Sequence, residues 1–450
     1  MKKILLIFFL LIQILIYSYK ILDNFDLYIY FNNPKAFYYK LFNNISFFRY
    51  LYSKEGAGQE SLYDYLSKNL GNDEKGDINQ LISSNFLIIS KKSYNIEDFF
   101  WINPVQDIIK FLKKFNGYII TDYNNREKLI NLIKNLFSYE VEYIKQTGEY
   151  LIKELNLKVY FIGGHTIFYN DYISLEKIFE LLDDFNLIKS NIKDNIYISF
   201  KNQKFNYLVE PFQKLYMSKY SDNISGNVKI NYYNKEIIFD VESSLKIISV
   251  SRFDKNYKIF GDSLIYLNLN AISEVYNITS KIFSPIDEYS RNSLMYILKS
   301  IKYEGNIYLS EYFSRKGDGI SVIIPGEVFL DKIEDKMKKW GIERKTLGNY
   351  FYYSIYYKNI GSAVYLYVNK NSMIISSIAP SLMKYLIVSS KKFSNLRIFD
   401  SNDIPDNILY IWYSNINAFF EEFIGNSVPG EFIIINASDN NRFIEKIILR

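Results

Sequence analysis

His165 is the only histidine in 450 residues, and cysteine is absent. Any imidazole chemistry must therefore pass through one ring. The two counts exclude disulfides, thiol nucleophiles, a cysteine-linked lipid anchor, thiolate-bound zinc or iron–sulfur, and any site needing two imidazoles from one chain. His165 sits in Phe161-Ile162-Gly163-Gly164-His165-Thr166-Ile167, between two β-like runs, with glycines that permit a tight turn at positive φ. As the base of a Ser-His pair it would need a nucleophile elbow, and the chain contains no Gly-x-Ser-x-Gly. The residues read as a turn histidine.

Carboxylates are the next candidates. Glu140/Glu142, Asp183/Asp184 and Glu421/Glu422 are close pairs, but 49 acidic residues supply such pairs on any solvated face. A glycosidase pair is defined by its separation in space, which spacing in sequence does not give. Asp73, Glu74, Gly76 and Asp77 offer oxygen ligands for calcium but lack the alternating acids and terminal Glu of an EF-hand loop. Lys54-Glu55-Gly56-Ala57-Gly58-Gln59-Glu60-Ser61 is glycine-rich, yet it lacks the Gly-Lys-Ser/Thr ending that engages phosphate and magnesium, so it reads as a surface loop. Basic residues occur only as short pairs (Lys113/Lys114, Lys338/Lys339, Lys391/Lys392), and the net charge is +5, which disfavours nucleic acid as a partner. The expectation is no catalytic, cofactor-binding or metal-ligating residue, and no cofactor.

The elements around these residues repeat. Leu27-Tyr28-Ile29-Tyr30-Phe31 followed by Asn33-Pro34 reads as a strand handed to a helix, and the pattern returns at Leu264–Leu267 with Asn268 and at Leu409–Tyr413 with Asn415. A looser copy is Ile196–Phe200 with Asn202. Each asparagine is expected to cap its helix, its side-chain oxygen accepting a backbone N–H one turn in, and Pro34 suits the first helical position. A longer series also recurs in order. Gly117–Ile120 and helical Arg126–Phe137 parallel Gly319–Val322 and Phe329–Lys339. Turns at Thr147-Gly148 and Thr346-Leu347-Gly348 follow, then strands at Val159–Ile162 and Ala363–Val368, then Ile167–Tyr169 and Met373–Ile375. Helices opened by Ser174 and Ser381 come next, and final strand pairs lie near Asn227–Glu242 and Glu431–Leu449. The first series carries extra residues early, placed at Lys54–Asn79.

From this order the fold class is α+β: two tandem, related blocks of mostly antiparallel sheet with helices packed on one face, at 24–250 and 263–450, joined near Ser251–Asp262. Met1-Lys2-Lys3 followed by apolar Ile4–Ile16, broken only by Gln13, has the layout of a secretory signal or N-terminal anchor over residues 1–20. That apolar run spans about 20 Å as a helix, short of a hydrocarbon core of about 30 Å. Tyr 43 and Phe 35 are accompanied by abundant Ile, Lys and Asn, so AT-rich codons account for the aromatic content more simply than a carbohydrate platform does.

On the Lys2/Lys3 signal and the strand-to-helix patterns at Asn33, Asn268 and Asn415, the chain resembles bacterial exported proteins of unknown function built of duplicated α+β units behind a signal sequence. The resemblance covers most of the chain and implies no catalytic residue. The functional expectation is an extracytoplasmic protein of the periplasm or cell envelope, tethered where the N-terminal segment is uncleaved, acting as a non-enzymatic binding or scaffolding module. The expected partner is an envelope protein or glycan, with no nucleic acid and with membrane contact only through the N-terminal segment. The alternatives are a carboxylate-dependent envelope glycoside hydrolase, which needs neither Cys nor His, and an envelope assembly helper that accepts a partner strand on a sheet edge.

Overall fold

The computed structural model describes residues 19–20, 27–52, 71–90, 112–113, 115–170, 175–205, 223–233, 236–243, 253, 258–259, 261–269, 271–283, 288–312, 319–357, 362–392, 407–423, 425, 427–439 and 442–450. The chain divides into two units, Met1–Leu245 with Arg450, and Lys246–Leu449. The signal or anchor expected at 1–20 falls almost wholly outside the described residues, as do the glycine-rich loop at 54–61 and Ser174. Among the described residues no helix is long and apolar enough to cross a membrane.

In the first unit the main strands are β1 (Leu27–Phe31), β2 (Phe86–Ser90), β3 (Gly117–Thr121), β4 (Val141–Ile144), β5 (Glu149–Ile152), β6 (Leu157–Ile162), β7 (His165–Tyr169), β8 (Ile196–Phe205), β9 (Asn223–Tyr233) and β10 (Glu236–Ser243), and a two-residue strand, Tyr19–Lys20, pairs with the end of β8. Helices α1 (Pro34–Asn44), α2 (Ser46–Tyr52) and α3 (Asn72–Leu81) lie between β1 and β2 in sequence. Helix α4 (Arg126–Phe137) follows β3, and α5 (Leu175–Asn191) follows β7. The sheet order is β10-β9-β8-β1-β2-β3-β7-β6-β5-β4, every neighbour antiparallel.

Why the sheet buries one face under α5 follows from the two periodicities. On α5, Ile178, Leu181, Leu182 and Phe185 recur at helical spacing, and on the strands Tyr30, Leu87, Ile89, Tyr118, Ile120, Ile167 and Tyr169 alternate along one face; together they form one buried cluster. Tyr160 and Ile162 pack against the same cluster. Phe161 between them therefore points to the opposite face, together with Val159 and its cross-strand partner Tyr150. Arg126, the first residue of α4, stacks on Tyr150 and so lies over that second face. Close packing of β2 and β3 requires Gly117, where a Cβ would stand 2.0 Å from the Ile89 carbonyl oxygen.

In the second unit the strands are β11 (Ser263–Asn268), β12 (Asn306–Tyr312), β13 (Gly319–Val328), β14 (Lys345–Leu347), β15 (Tyr350–Tyr357), β16 (Ser362–Asn369), β17 (Ser372–Ser376), β18 (Ile408–Asn415), β19 (Glu431–Asp439) and β20 (Arg442–Leu449). Helices α6 (Ile272–Phe283) and α7 (Glu288–Leu298) separate β11 from β12 in sequence, α8 (Leu330–Lys339) follows β13, α9 (Pro380–Val388) follows β17, and α10 (Ile416–Phe423) follows β18. This sheet runs β20-β19-β18-β11-β12-β13-β17-β16-β15-β14, again antiparallel throughout. A short strand, Ile301–Tyr303, pairs with the last residues of β13, and Lys258–Ile259 pairs with Lys391–Lys392 in a separate two-stranded sheet. Every residue of β11 is buried, as its continuous apolar run requires of a central strand. On α6 the buried Val275, Ile278, Thr279 and Phe283 fall on one stripe.

Two of the four asparagine caps form. Asn33 Oδ1 accepts from Ala36 N at 3.0 Å, with Asn33 at φ 48° and Pro34 opening α1. Asn415 Oδ1 accepts from Asn417 N at 3.1 Å and Ala418 N at 3.4 Å at the start of α10. The other two assignments are overturned. Asn268 is the last residue of β11, buried, and α6 begins only at Ile272. Asn202 lies inside β8, at a register shift beyond which pairing to β9 resumes, with Ile224 opposite Gln203 and Asn223 opposite Lys204. For Asn268 the pairing with Asn306 of β12 takes the place of a cap. Ser381 is not a cap either, since Ala379 holds that position and Pro380 opens α9. Asp73, Glu74, Gly76 and Asp77, placed by the sequence in an inserted loop, belong to α3.

Candidate functional site

The first unit gathers its chemistry-bearing side chains where β3 ends and β7 begins. His165 follows a two-residue turn in which Gly163 and Gly164 take φ 58° and 80°, the conformation a tight hairpin needs and a side chain resists. Its Nδ1 is 2.8 Å from the Gly163 carbonyl oxygen, and its ring meets Phe185 of α5 edge-on at 5.5 Å. Thr121 and Thr166 are the last pair of the β3–β7 ladder, so Asp122 and His165 occupy the next position on each strand.

Asp122 is the hub of this end. Its Oδ2 accepts from Lys189 Nζ at 2.7 Å and from Asn85 Nδ2 at 2.8 Å, while Oδ1 accepts from Asn85 N at 2.8 Å. Asn85 Oδ1 in turn accepts from Asn33 N at 3.2 Å. Burial alone would raise the Asp122 carboxyl, but the Lys189 ammonium and both Asn85 donors outweigh it and hold the group below the usual carboxylate range. Burial, then the charge of Asp122, pushes the Tyr30 phenol up to about 12. The carboxylate is thus ionised and fully engaged, a poor general acid and a weak base at neutral pH. What it does well is join the end of β3 to α5, β2 and the start of α1.

Among the described residues no hydroxyl nucleophile is hydrogen-bonded to His165. Its polar contact among the described residues is a backbone carbonyl rather than a hydroxyl. Nearby Thr166 Oγ1 is committed to the Tyr123 carbonyl at 2.6 Å.

The remaining carboxylate candidates are dispersed. Glu140 and Glu142 both reach Lys153, at 2.8 and 3.1 Å, on an exposed surface. Asp183 and Asp184 are exposed on α5, and Glu421 Oε1 accepts from Asn417 Nδ2 at 2.9 Å one turn back. Glu74 accepts from Gly71 N at 2.9 Å and from Asn135 Nδ2 at 2.6 Å, and Asp77 pairs with Lys128 at 2.6 Å, so these acids clasp α3 to α4. Among the described residues no group of three or more His, Cys, Asp and Glu side chains is placed to hold a metal ion.

Glu149, which no motif flagged, is the second embedded carboxylate. Burial would raise it, but hydrogen bonds from the Tyr169 and Thr147 hydroxyls and the Lys158 ammonium at 3.3 Å bring it below its ordinary value. Tyr169 is fully buried, and burial followed by Glu149 raises its phenol far above the usual range. Neither Asp122 nor Glu149 carries a sequence signature, because their partners come from distant segments: Lys189 lies 67 residues from Asp122, and Tyr169 lies 20 from Glu149.

No family model, no curated protein and no solved structure matches this chain.

Proposed function

We infer that the chain is an exported, non-enzymatic binding or scaffolding module of the cell envelope, built from an ancestral segment copied in tandem. The observation that carries this reading is the pair of sheet orders: the ten main strands of the first unit each have a counterpart ten strands later, in the same position and sense, while the short strands Tyr19–Lys20 and Ile301–Tyr303 have none among the described residues. Helices recur in the same gaps, after β1 and β11, after β3 and β13, and after β7 and β17. A random pair of ten-stranded antiparallel sheets has many permissible orders, so agreement at every position favours descent from one segment.

The reactive side chains do not repeat with the fold. Where β7 opens on His165, β17 opens on Ser372 after the turn at Lys370 and Asn371. The embedded acids of the first unit serve as clasps. A duplicated frame without a duplicated reactive set fits binding better than catalysis, and the Lys2/Lys3 segment with Ile4–Ile16 fits delivery outside the cytosol.

Photo-crosslinking of the full chain in intact cells, followed by recovery from envelope extracts, tests the reading. Enrichment of an envelope protein or glycan that competes with unlabelled chain is the expected result. Recovery of the chain alone, together with hydrolysis of envelope glycans by the purified protein, would replace binding with the carboxylate hydrolase.

A further inference from the structure

Arg126 differs from the other well-placed arginine in one respect. Its guanidinium stands 5.2 Å from the Tyr143 ring centroid and 4.7 Å from that of Tyr150, and its Nε donates to the Tyr150 hydroxyl. Tyr143 and Tyr150 are cross-strand partners with rings 5.0 Å apart, and Phe161 extends the row edge-on at 5.9 Å from Tyr150. Arg344 stacks in a similar way on Phe351, at 4.6 Å, but is neutralised by Glu334 at 2.8 Å. Among the described residues no carboxylate lies within ion-pair distance of Arg126. The nearby acids are engaged elsewhere or exposed: Asp122 is held by Lys189 and Asn85, Glu142 points to the opposite face and holds Lys153, and Glu127 is solvent-exposed on α4. Phenol hydroxyls satisfy donors of the guanidinium but leave its charge.

A planar cation held on two rings is preorganised for a planar anion, because its orientation is fixed before the ligand arrives. Beside it Tyr143 leaves 45% of its surface exposed next to the charge. We propose that Arg126, Tyr143 and Tyr150 form a binding site for an acidic sugar, the ring carboxylate engaging the guanidinium and the sugar face lying on Tyr143. A peptide fits less well. Strand β4 is the edge of its sheet among the described residues, but it is four residues long, carries Glu142 and is followed by Lys145, features that blunt strand addition. This site deepens the binding-module reading and rests on it.

The test uses the full chain and saturation-transfer NMR with digalacturonate, its carboxyl-reduced neutral counterpart, and acetyl-dialanine as a peptide carboxylate. Digalacturonate should receive transfer on its ring protons and the neutral disaccharide should not. Arg126→Gln should weaken binding by about tenfold or more, as loss of a charge-assisted bidentate pair does. Tyr143→Ala, at an exposed position that the core does not need, should abolish the ring contact, and Arg344→Gln should change nothing. Equal response to acidic and neutral sugars, no response, or binding unaffected by both Arg126→Gln and Tyr143→Ala would overturn the site, as would a response to acetyl-dialanine alone. If the site fails while crosslinking still yields an envelope partner, the ligand assignment falls and the binding-module reading stands.

Discussion

Lys189 Nζ lies 2.7 Å from Asp122 Oδ2, and this contact ties the last turn of α5 to the residue just past β3. The cation also suits its place, since a positive charge near a helix C-terminus is favourable. Because Asn85 donates to the same carboxylate twice, the pair anchors three segments far apart in sequence.

Removing the carboxylate should cost more than removing the ammonium. Asp122→Ala leaves the Asn85 donors without an acceptor in a half-buried place and is expected to destabilise the first unit by about 2 kcal/mol. Lys189→Met, at a half-exposed position, should cost about 0.5 to 1 kcal/mol. Denaturant unfolding of the two variants checks the ranking; equal losses would mean the ion pair, rather than the hydrogen-bonded hub, holds this end.

Acid should weaken the first unit through the same groups. Asp122 and Glu149 both have folded values held below their unfolded ones, so their contribution is present above about pH 4 to 5 and is lost as pH falls through the folded values. Melting temperature followed from pH 7 to pH 3 should drop, and the drop should shrink in the double variant Asp122→Asn, Glu149→Gln. An unchanged acid slope in that variant would move the linkage to other carboxylates.

Gly117 is expected to tolerate no side chain. A Cβ there meets the Ile89 carbonyl oxygen at 2.0 Å, so Gly117→Ala must push β2 and β3 apart, at a cost of about 2 to 4 kcal/mol. Gly76→Ala, on exposed α3 with open space around it, should instead stabilise by about 0.5 to 1 kcal/mol. Thermal melts of the two single variants should therefore shift in opposite directions.

At Asn33 the cap and the left-handed backbone can be separated. Asn33→Gly keeps the conformation and loses the side-chain acceptor, and should cost a few tenths of a kcal/mol, whereas Asn33→Ala strains φ 48° as well and should cost about 1 to 2 kcal/mol. Equal losses would show that the Ala36 hydrogen bond, and not the backbone, sets the position.

Much of the architecture was legible because it rests on local pattern. Turn glycines, alternating β runs and the repeated order of elements identify the α+β class, and the final hairpins form as expected, with Asn231 opposite Ile238 and Ile435 opposite Lys446. Asn202 and Asn268 were misread for a physical reason. An asparagine after an apolar run is compatible with a cap or with a continuing strand, and only the length of the neighbouring strand decides. Arg126 and its tyrosines were hidden in the general aromatic excess, since nothing in the spacing of 126, 143, 150 and 161 shows that antiparallel pairing stacks them in one row. Asp122 has no local signature, because its partner Lys189 is brought to it only by α5.

Cell fractionation with N-terminal sequencing of the full chain expressed in bacteria tests most directly the proposal that this α+β chain works outside the cytosol. The expected result is protein in the extracytoplasmic or membrane fraction, either beginning after the apolar Ile4–Ile16 segment or tethered by it. Soluble cytosolic protein that still begins at Met1 would contradict the account.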